Sequence, residues 1–399
     1  MNNPTRARTL TGTALALAAS MALTACGSTD DASSDAESKQ TKRSAAAPVD
    51  NPLVASYDGG LYVLDGDTLK LAKTIELPGF NRVSPAGDDD HVVISTDSGF
   101  RLFDATRQTF TDTEFKGSKP GHVVRHAGRT VLFTDGTGQV NAFDPTALGD
   151  AGKPRTRTYT SAEPHHGVAI ELADGELVTT LGTEGKRTGA LVLDKDNNEI
   201  ARAENCPGVH GEAAAKGEVV GFGCEDGVLL YKAGEFTKVD APDDYARTGN
   251  QAGSDASPVL LGDYKTDPDA ELERPTRISL IDTRTTKMKL VDLGTSYSFR
   301  SLARGPQGEA LVLGTNGVLH VIDPETGTVE KKIETVGDWT EPLDWQQPRP
   351  TLFVRDHTAY VSEPGKRQLH AVDLDSSKKL TSVTLPKGTN ELSGTVSGH

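Results

Sequence analysis

The sequence is poor in several residue types that usually announce a fold or an activity. It holds three Cys, three Met and two Trp in 399 residues, and aromatic side chains make up 5%. Three Cys exclude a disulfide-dense mini-protein, which packs several bridges into a much shorter chain. So few aromatics argue against a sugar-stacking cleft. Positive charge is in the minority, with 42 Lys and Arg against 57 Asp and Glu, a net charge of -15. An acidic surface repels phosphate backbones and anionic headgroups. Nucleic acid is therefore excluded as a partner, and membrane contact beyond a covalent anchor is disfavoured. No G-x-S-x-G elbow, P-loop, dinucleotide glycine fingerprint or H-E-x-x-H helix occurs. Beyond residue 50 no long stretch has helical period. At 35% hydrophobic the chain is nevertheless too apolar to be wholly disordered.

What is present begins with a sorting signal. Arg6 and Arg8 precede an apolar run from Ala14 to Leu23, with no acidic residue among the first 25. This is a basic n-region followed by an apolar segment too short for a membrane span. It ends in Leu23-Thr24-Ala25-Cys26-Gly27, which resembles a bacterial lipobox. That resemblance implies cleavage before Cys26 and a diacylglycerol on its sulfur. Residues 1–25 are thus expected to be a lipoprotein signal peptide, and the protein to sit lipid-anchored on the extracytoplasmic face of the cell membrane. Residues 26–50 carry almost no large apolar side chain and read as a disordered tether. Cleavage would remove two positive charges and no negative ones, taking the net charge from -15 to -17.

Residues 51–399 read as one repeat. An apolar strand, a Gly/Asp turn and a second strand ending in a turn recur eight times. The second strands end at Asp65, Asp104, Asp144, Asp194, Lys232, Asp282, Asp323 and Asp373, with spacings of 39, 40, 50, 38, 50, 41 and 50 residues. An all-β period of about 40–50 residues is the signature of propeller blades. The predicted fold is therefore all-β, a β-propeller of eight blades, with seven as the alternative because residues 235–277 are the least regular. The first copy lacks an inner strand, and Asn390–Gly398 is a spare strand-like piece. Pairing the two closes the ring through both termini. The recurring Asp residues are turn formers.

Three consecutive units carry His at matching points before their central strands: Pro120-Gly121-His122-Val123, Glu163-Pro164-His165-His166-Gly167 and Gly208-Val209-His210-Gly211-Glu212. In a propeller these points lie on inner strands that line the central channel. Neighbouring blades would present imidazoles at similar height. Three imidazoles with a carboxylate or water make a tetrahedral Zn2+ site. The alternative for each His alone is a surface or hydrogen-bonded side chain. Cys206 and Cys224 bracket the third segment. They read as a disulfide in an exported protein, with thiolate ligation of zinc beside His210 as the alternative. Asp338, Glu341 and Asp344, with Trp339 and Trp345, form either an acidic mouth or an acidic surface loop with the Trp side chains buried between blades.

The lipobox, the repeats, the Pro-His-His-Gly element and the Cys pair around Gly-Val-His-Gly-Glu together resemble the AztD-type zinc metallochaperones, secreted or periplasmic propellers that work beside a zinc ABC transporter. The resemblance covers nearly all of 51–399 and is most specific over 163–167 and 206–224. It implies no enzyme activity. It implies Zn2+ as cargo, ligands placed here on His122, His166 and His210 with His165 as a near alternative, and delivery by a monomer to the transporter's solute-binding protein. One departure is that residues 27–50 contain no His, whereas Gram-negative members carry a His-rich segment near the N-terminus. Two other readings remain at this level. One is a lipid-anchored interaction module without metal. The other is a propeller enzyme of lactonase or dehydrogenase type, for which no carboxylate-rich metal ring or cofactor-stacking Trp is found.

Overall fold

Eight four-stranded antiparallel sheets follow one another along the chain in a computed structural model, which describes residues 47–149 and 153–396. The signal peptide and the Cys26 attachment site lie outside the described residues, as does the tether up to residue 46. The sheets are the blades of a β-propeller. Each second strand anticipated from the repeat is the third strand of its blade, from Gly60–Asp65 in blade 1 to Gln368–Asp373 in blade 8. Eight is therefore the blade count, and seven is excluded. No helix among the described residues is long and apolar enough to cross a membrane.

The ring closes as anticipated. In blade 1 the innermost strand is Glu391–Gly394 from the end of the chain, paired antiparallel with Pro52–Tyr57 through Leu53–Gly394 and Ser56–Glu391. The irregular stretch resolves into blade 6, whose innermost strand is only Gln251–Ala252. Part of the expected tether also differs. Val49 is 6% exposed and its N–H donates to Thr106 O, while Ala47 O accepts from Gln108. A single buried Val and two hydrogen bonds fix residues 47–50 onto blade 2 despite their polar surroundings in sequence.

The strands alternate sides, so a central strand buried on both faces must be apolar on both. Leu61 to Leu64 and Val92 to Ile94 are all 0–1% exposed. Outermost strands such as Leu71–Glu76 show one face only, with exposed Lys and Glu between half-buried apolar residues. The core is a set of apolar layers between neighbouring blades. The largest joins blades 3, 4 and 5, from Val124 and Phe133 through Leu177 and Val192 to Val220 and Tyr231. Burial of this order stabilises by roughly 25 cal/mol for each Å² of apolar surface removed from water.

Blade topology fixes where function can sit. Each inner strand starts at the face where the preceding outer strand ends. Every segment joining one blade to the next therefore lies on that one face, at the mouth of the channel. The three His segments lie at or just before the starts of inner strands, next to that face.

Candidate metal centre

His122 lies on the inner strand of blade 3, Pro120–His126, and His210 opens that of blade 5, His210–Ala215. His166 precedes the inner strand of blade 4, Ala169–Glu171, by three residues. Both strand histidines sit at bulges. The register of blade 3 slips between Pro120 and Val123, and that of blade 5 between His210 and Glu212. A bulge adds one residue and re-aims its neighbours. Gly211 makes the second bulge feasible with φ +71, where a Cβ would fall 2.5 Å from Gln251 Oε1. At Gly121 a Cβ would fall 2.1 Å from Asp135 Oδ1. The small residues beside the histidines thus make room for protein atoms rather than for a ligand.

The result is a compact group. One ring nitrogen from each of His122, His166 and His210 lies within 4.8 Å of the others. Ring centroids are 4.9 Å apart for His166–His210, 5.2 Å for His122–His166 and 5.6 Å for His122–His210. Four further contacts, none assigned a role from sequence, shape the group. His166 Nδ1–H donates to Asp135 Oδ2 at 2.5 Å, and His210 Nδ1–H donates to the Gly249 carbonyl at 2.5 Å. A carbonyl only accepts, so the His210 proton sits on Nδ1 and Nε2 holds a lone pair. The same holds for His166 against a carboxylate. The two Nε2 atoms face each other at 2.9 Å. Two lone pairs this close repel unless a cation lies between them. A tetrahedral Zn2+ with Zn–N near 2.0–2.1 Å separates its nitrogens by about 3.3 Å, so a small opening of the pair admits it. Glu212 Oε2 stands 4.0 Å from His122 Nδ1, and Asp135 Oδ1 also accepts from Gly167 N–H at 3.4 Å.

The electrostatics keep His122 and His210 neutral. Burial, then the neighbouring His210 and His166, hold His122 well below the usual imidazole range. Burial, with His166 next, lowers His210 to about 3 against the opposing bond to Gly249. Burial pushes the Glu212 carboxyl up to about 8. At neutral pH the pocket thus offers unprotonated nitrogens beside a protonated carboxyl. The side chain of His166 is 43% exposed and forms the open edge of the group.

His165 is not part of it. Successive residues point to opposite sides, so His165 turns inward where His166 faces the channel. It is 2% exposed, its Nδ1–H donates to Glu163 O at 2.8 Å, its Nε2 meets Thr180 Oγ1 at 3.1 Å, and its ring packs on Phe133. Its place as an alternative ligand is therefore corrected: both nitrogens are engaged in the wall. Cys206 and Cys224 form a disulfide, with both residues at most 1% exposed, so thiolate ligation is excluded in this state. The bridge ties the segment entering blade 5 to that blade's second strand, Val219–Gly223, beside which His210 lies. Of the other histidines, His320 and His370 are buried within blades, and His357 sits in an exposed hairpin turn paired with Asp375.

The far side of the mouth is built differently. Arg300 donates to Glu391 at 2.8 Å, and Arg82 donates to the same carboxylate at 3.1 Å. Arg349, fully buried, donates to Glu341 at 2.6 Å. The Phe299 ring lies between the two guanidinium groups, at 5.0 Å from Arg300 and 5.1 Å from Arg349. The acidic cluster therefore supplies an ion pair through Glu341. It contributes no member to the His group. Trp339 is half-buried, with Nε1–H donating to Gly314 O, but Trp345 is 50% exposed and meets Phe80 edge-on. The expected burial of both Trp side chains holds for neither fully.

No protein-family profile matches the chain. The zinc chaperone AztD of Citrobacter koseri is 27% identical over 282 residues, 68% of this chain and 64% of that protein, so the match spans just under two thirds of that relative's length. A crystal structure of Citrobacter koseri AztD superimposes with a TM-score of 0.74 at 20% identity, covering 88% of this chain and 98% of that one. The apo form of the same protein gives 0.74 at 21% identity, covering 88% and 100%. The dihydro-heme d1 dehydrogenase NirN shares the propeller fold at a TM-score of 0.60 and 13% identity, covering 88% and 76%. In both sequence and fold, this chain is similar to the zinc chaperone AztD.

Proposed function

We propose that this protein is an extracytoplasmic zinc chaperone. It takes up Zn2+ as cargo on His122, His166 and His210 and passes it to the solute-binding protein of a zinc ABC transporter, while a lipid on Cys26 holds it at the membrane. The observation that carries the reading is the pair of Nδ1–H bonds, His166 to Asp135 and His210 to Gly249. They fix the tautomers so that Nε2 lone pairs converge on one point, which is how protein zinc ligands are oriented. The similarity to a zinc chaperone supports the same reading.

The geometry suits a carrier more than a permanent holder. Three protein nitrogens leave one tetrahedral position open, and an open position is where an incoming ligand enters. His166 stands at the exposed edge, on a loop rather than in a strand, and is the first ligand an acceptor's side chain would replace. His122 and His210 are bedded in strands and would release last. Tethering to the membrane raises the local concentration of chaperone around a transporter without any new contact.

The test is a zinc titration of the metal-free mature chain by calorimetry. The wild type should bind about one equivalent, and the His122→Ala/His166→Ala/His210→Ala variant should lose that binding while keeping its β-rich circular dichroism. Zinc binding unchanged in the triple variant, or absent from the wild type, overturns the reading and leaves a propeller interaction module. Transfer is tested by mixing the zinc-loaded chain with the metal-free solute-binding protein. Comparing zinc uptake by cells carrying wild type or Cys26→Ala tests the anchor, and equal uptake removes it from the mechanism.

A further inference from the structure

Below the His group the channel widens into a cavity of about 580 Å³, within the range of small-molecule sites. Its walls mix apolar residues, Val83, Pro145, Ile170 and Leu392 among them, with polar ones. Two arginines stand in this wall, Arg125 and Arg129. Arg125 lies three residues beyond His122 on the same inner strand, about 10 Å further down the channel by strand rise. Among the described residues its side chain makes one hydrogen bond, a 3.4 Å donation to the Val396 carbonyl, and no ion pair. Two carboxylates line the same cavity, Glu212 at its upper end and Asp255 at its rim, and neither pairs with Arg125. Burial alone lowers the guanidinium from its usual range, with no carboxylate to offset it.

A cation held largely out of water without a counter-charge is costly, and the two arginines buried among the described residues are, by contrast, compensated. Arg300 has Glu391 and Arg349 has Glu341. A second group is also left over. Ser393, on the innermost strand of blade 1, lines the cavity at 2% exposure, and its hydroxyl has no partner. One χ1 rotation turns such a hydroxyl toward the cavity as a donor. Donors without acceptors, set beside the apolar side chains of Val83, Ile170 and Leu392, call for an anion with an apolar body.

We infer that the central cavity is a second ligand site, separate from the His group, that binds a small organic carboxylate through Arg125 and Ser393. The carboxylate accepts from the guanidinium fork and the Ser393 hydroxyl, and its carbon body fills the chamber between Val83, Ile170 and Leu392. A bare phosphate fits less well, because it leaves Val83, Ile170 and Leu392 uncovered. The inference stands on the cavity and its walls and does not depend on zinc.

The test uses metal-free mature protein in the presence of a chelator, so that no anion binds through zinc. Benzoate, its neutral isostere benzamide, and inorganic phosphate are titrated by calorimetry, and 4-fluorobenzoate by fluorine NMR line broadening. Benzoate should bind saturably, with benzamide and phosphate at least tenfold weaker. Arg125→Met should weaken benzoate at least tenfold, and Ser393→Ala a few-fold. Arg125→Lys, which keeps the charge and loses the fork, should fall between wild type and Arg125→Met and serves if the Met variant does not fold. Benzamide binding as tightly as benzoate, benzoate binding unchanged in both Arg125 variants, or no saturable binding overturns the assignment.

Discussion

The two halves of the channel mouth solve opposite problems with the same fold. Blades 3 to 5 present three imidazoles, two of which, His166 and His210, are tied through their outer nitrogens to Asp135 and Gly249 and face each other through their inner ones. The far half seals the mouth with fixed charges, Arg82 and Arg300 on Glu391 and Arg349 on Glu341, around Phe299. One half keeps lone pairs unspent. The other spends every charge internally. The local backbone follows suit: the His side has bulged inner strands, a continuous apolar core through three blades and a disulfide, whereas blade 6 reduces its inner strand to Gln251–Ala252. Binding capacity goes with residues left incompletely satisfied on a heavily supported frame.

Breaking that contrast should cost most on the sealed side. Glu341→Ala leaves the buried Arg349 uncompensated and should lower stability by about 3–5 kcal/mol, read as the shift in chemical denaturation, with zinc affinity of the folded fraction little changed. Next comes the frame of the binding side. Removing the bridge with Cys206→Ser/Cys224→Ser should lower stability by about 3 kcal/mol, since it frees a short closed loop in the unfolded chain. Zinc binding should weaken with it, because His210 lies beside the strand the bridge restrains. Asp135→Ala should leave denaturation nearly unchanged and weaken zinc binding by about 10- to 100-fold, the usual effect of removing a carboxylate that orients a ligand His. An unaltered zinc isotherm in Asp135→Ala would sink the argument from tautomers.

The smallest effects should appear in pH profiles of the metal-free protein. His210 is lowered to about 3 in the folded state, against about 6.5 when unfolded. Between those values the unfolded chain binds a proton that the folded chain refuses. Stability should therefore fall as pH drops from about 6.5 toward 3, and His210→Gln should flatten that limb. Glu212 has the opposite sign. Its folded carboxyl, raised to about 8, keeps a proton that the unfolded chain releases near 4.3, so its contribution is full below that point and lost as pH rises toward 8. Glu212→Gln should remove this alkaline decline. Thermal denaturation at 0.5-pH intervals checks both, and a steeper acid limb in His210→Gln would contradict the first.

Much of this was legible in the sequence, for physical reasons. The blade count came from a turn-terminated apolar strand that must recur wherever a sheet is packed on both faces, and the ring closure from a first copy short of one strand. His122, His166 and His210 stood out because a repeat converts sequence offset into spatial height. The supports did not. Asp135 sits in a Thr-Asp-Gly turn like many other Asp residues of the chain, and nothing local marks it as the acceptor for His166. The Gly249 carbonyl has no side-chain signature at all. Gly121 and Gly211 stand at the two bulges, but a bulge is seen only once two strands are paired. His165 and His166 were separable only by knowing which side of the chain faces the channel. The sealed half was misjudged where the Trp residues were concerned, since Trp345 meets only the edge of Phe80 and stays 50% exposed.

The innermost strand of blade 1 comes from residues 391–394, paired with strand 52–57 more than 300 positions earlier. That strand also carries Glu391, on which Arg82 and Arg300 converge. Seven blades can form from local hairpins as the chain emerges, but blade 1 waits for residues 391–394. Contacts of such sequence separation are slow to form. The ring therefore stays open, with its first and eighth blades unjoined, until residues 391–394 have been made, and a chain cut short of residue 391 would expose the inner edge of strand 52–57 to pairing with other chains.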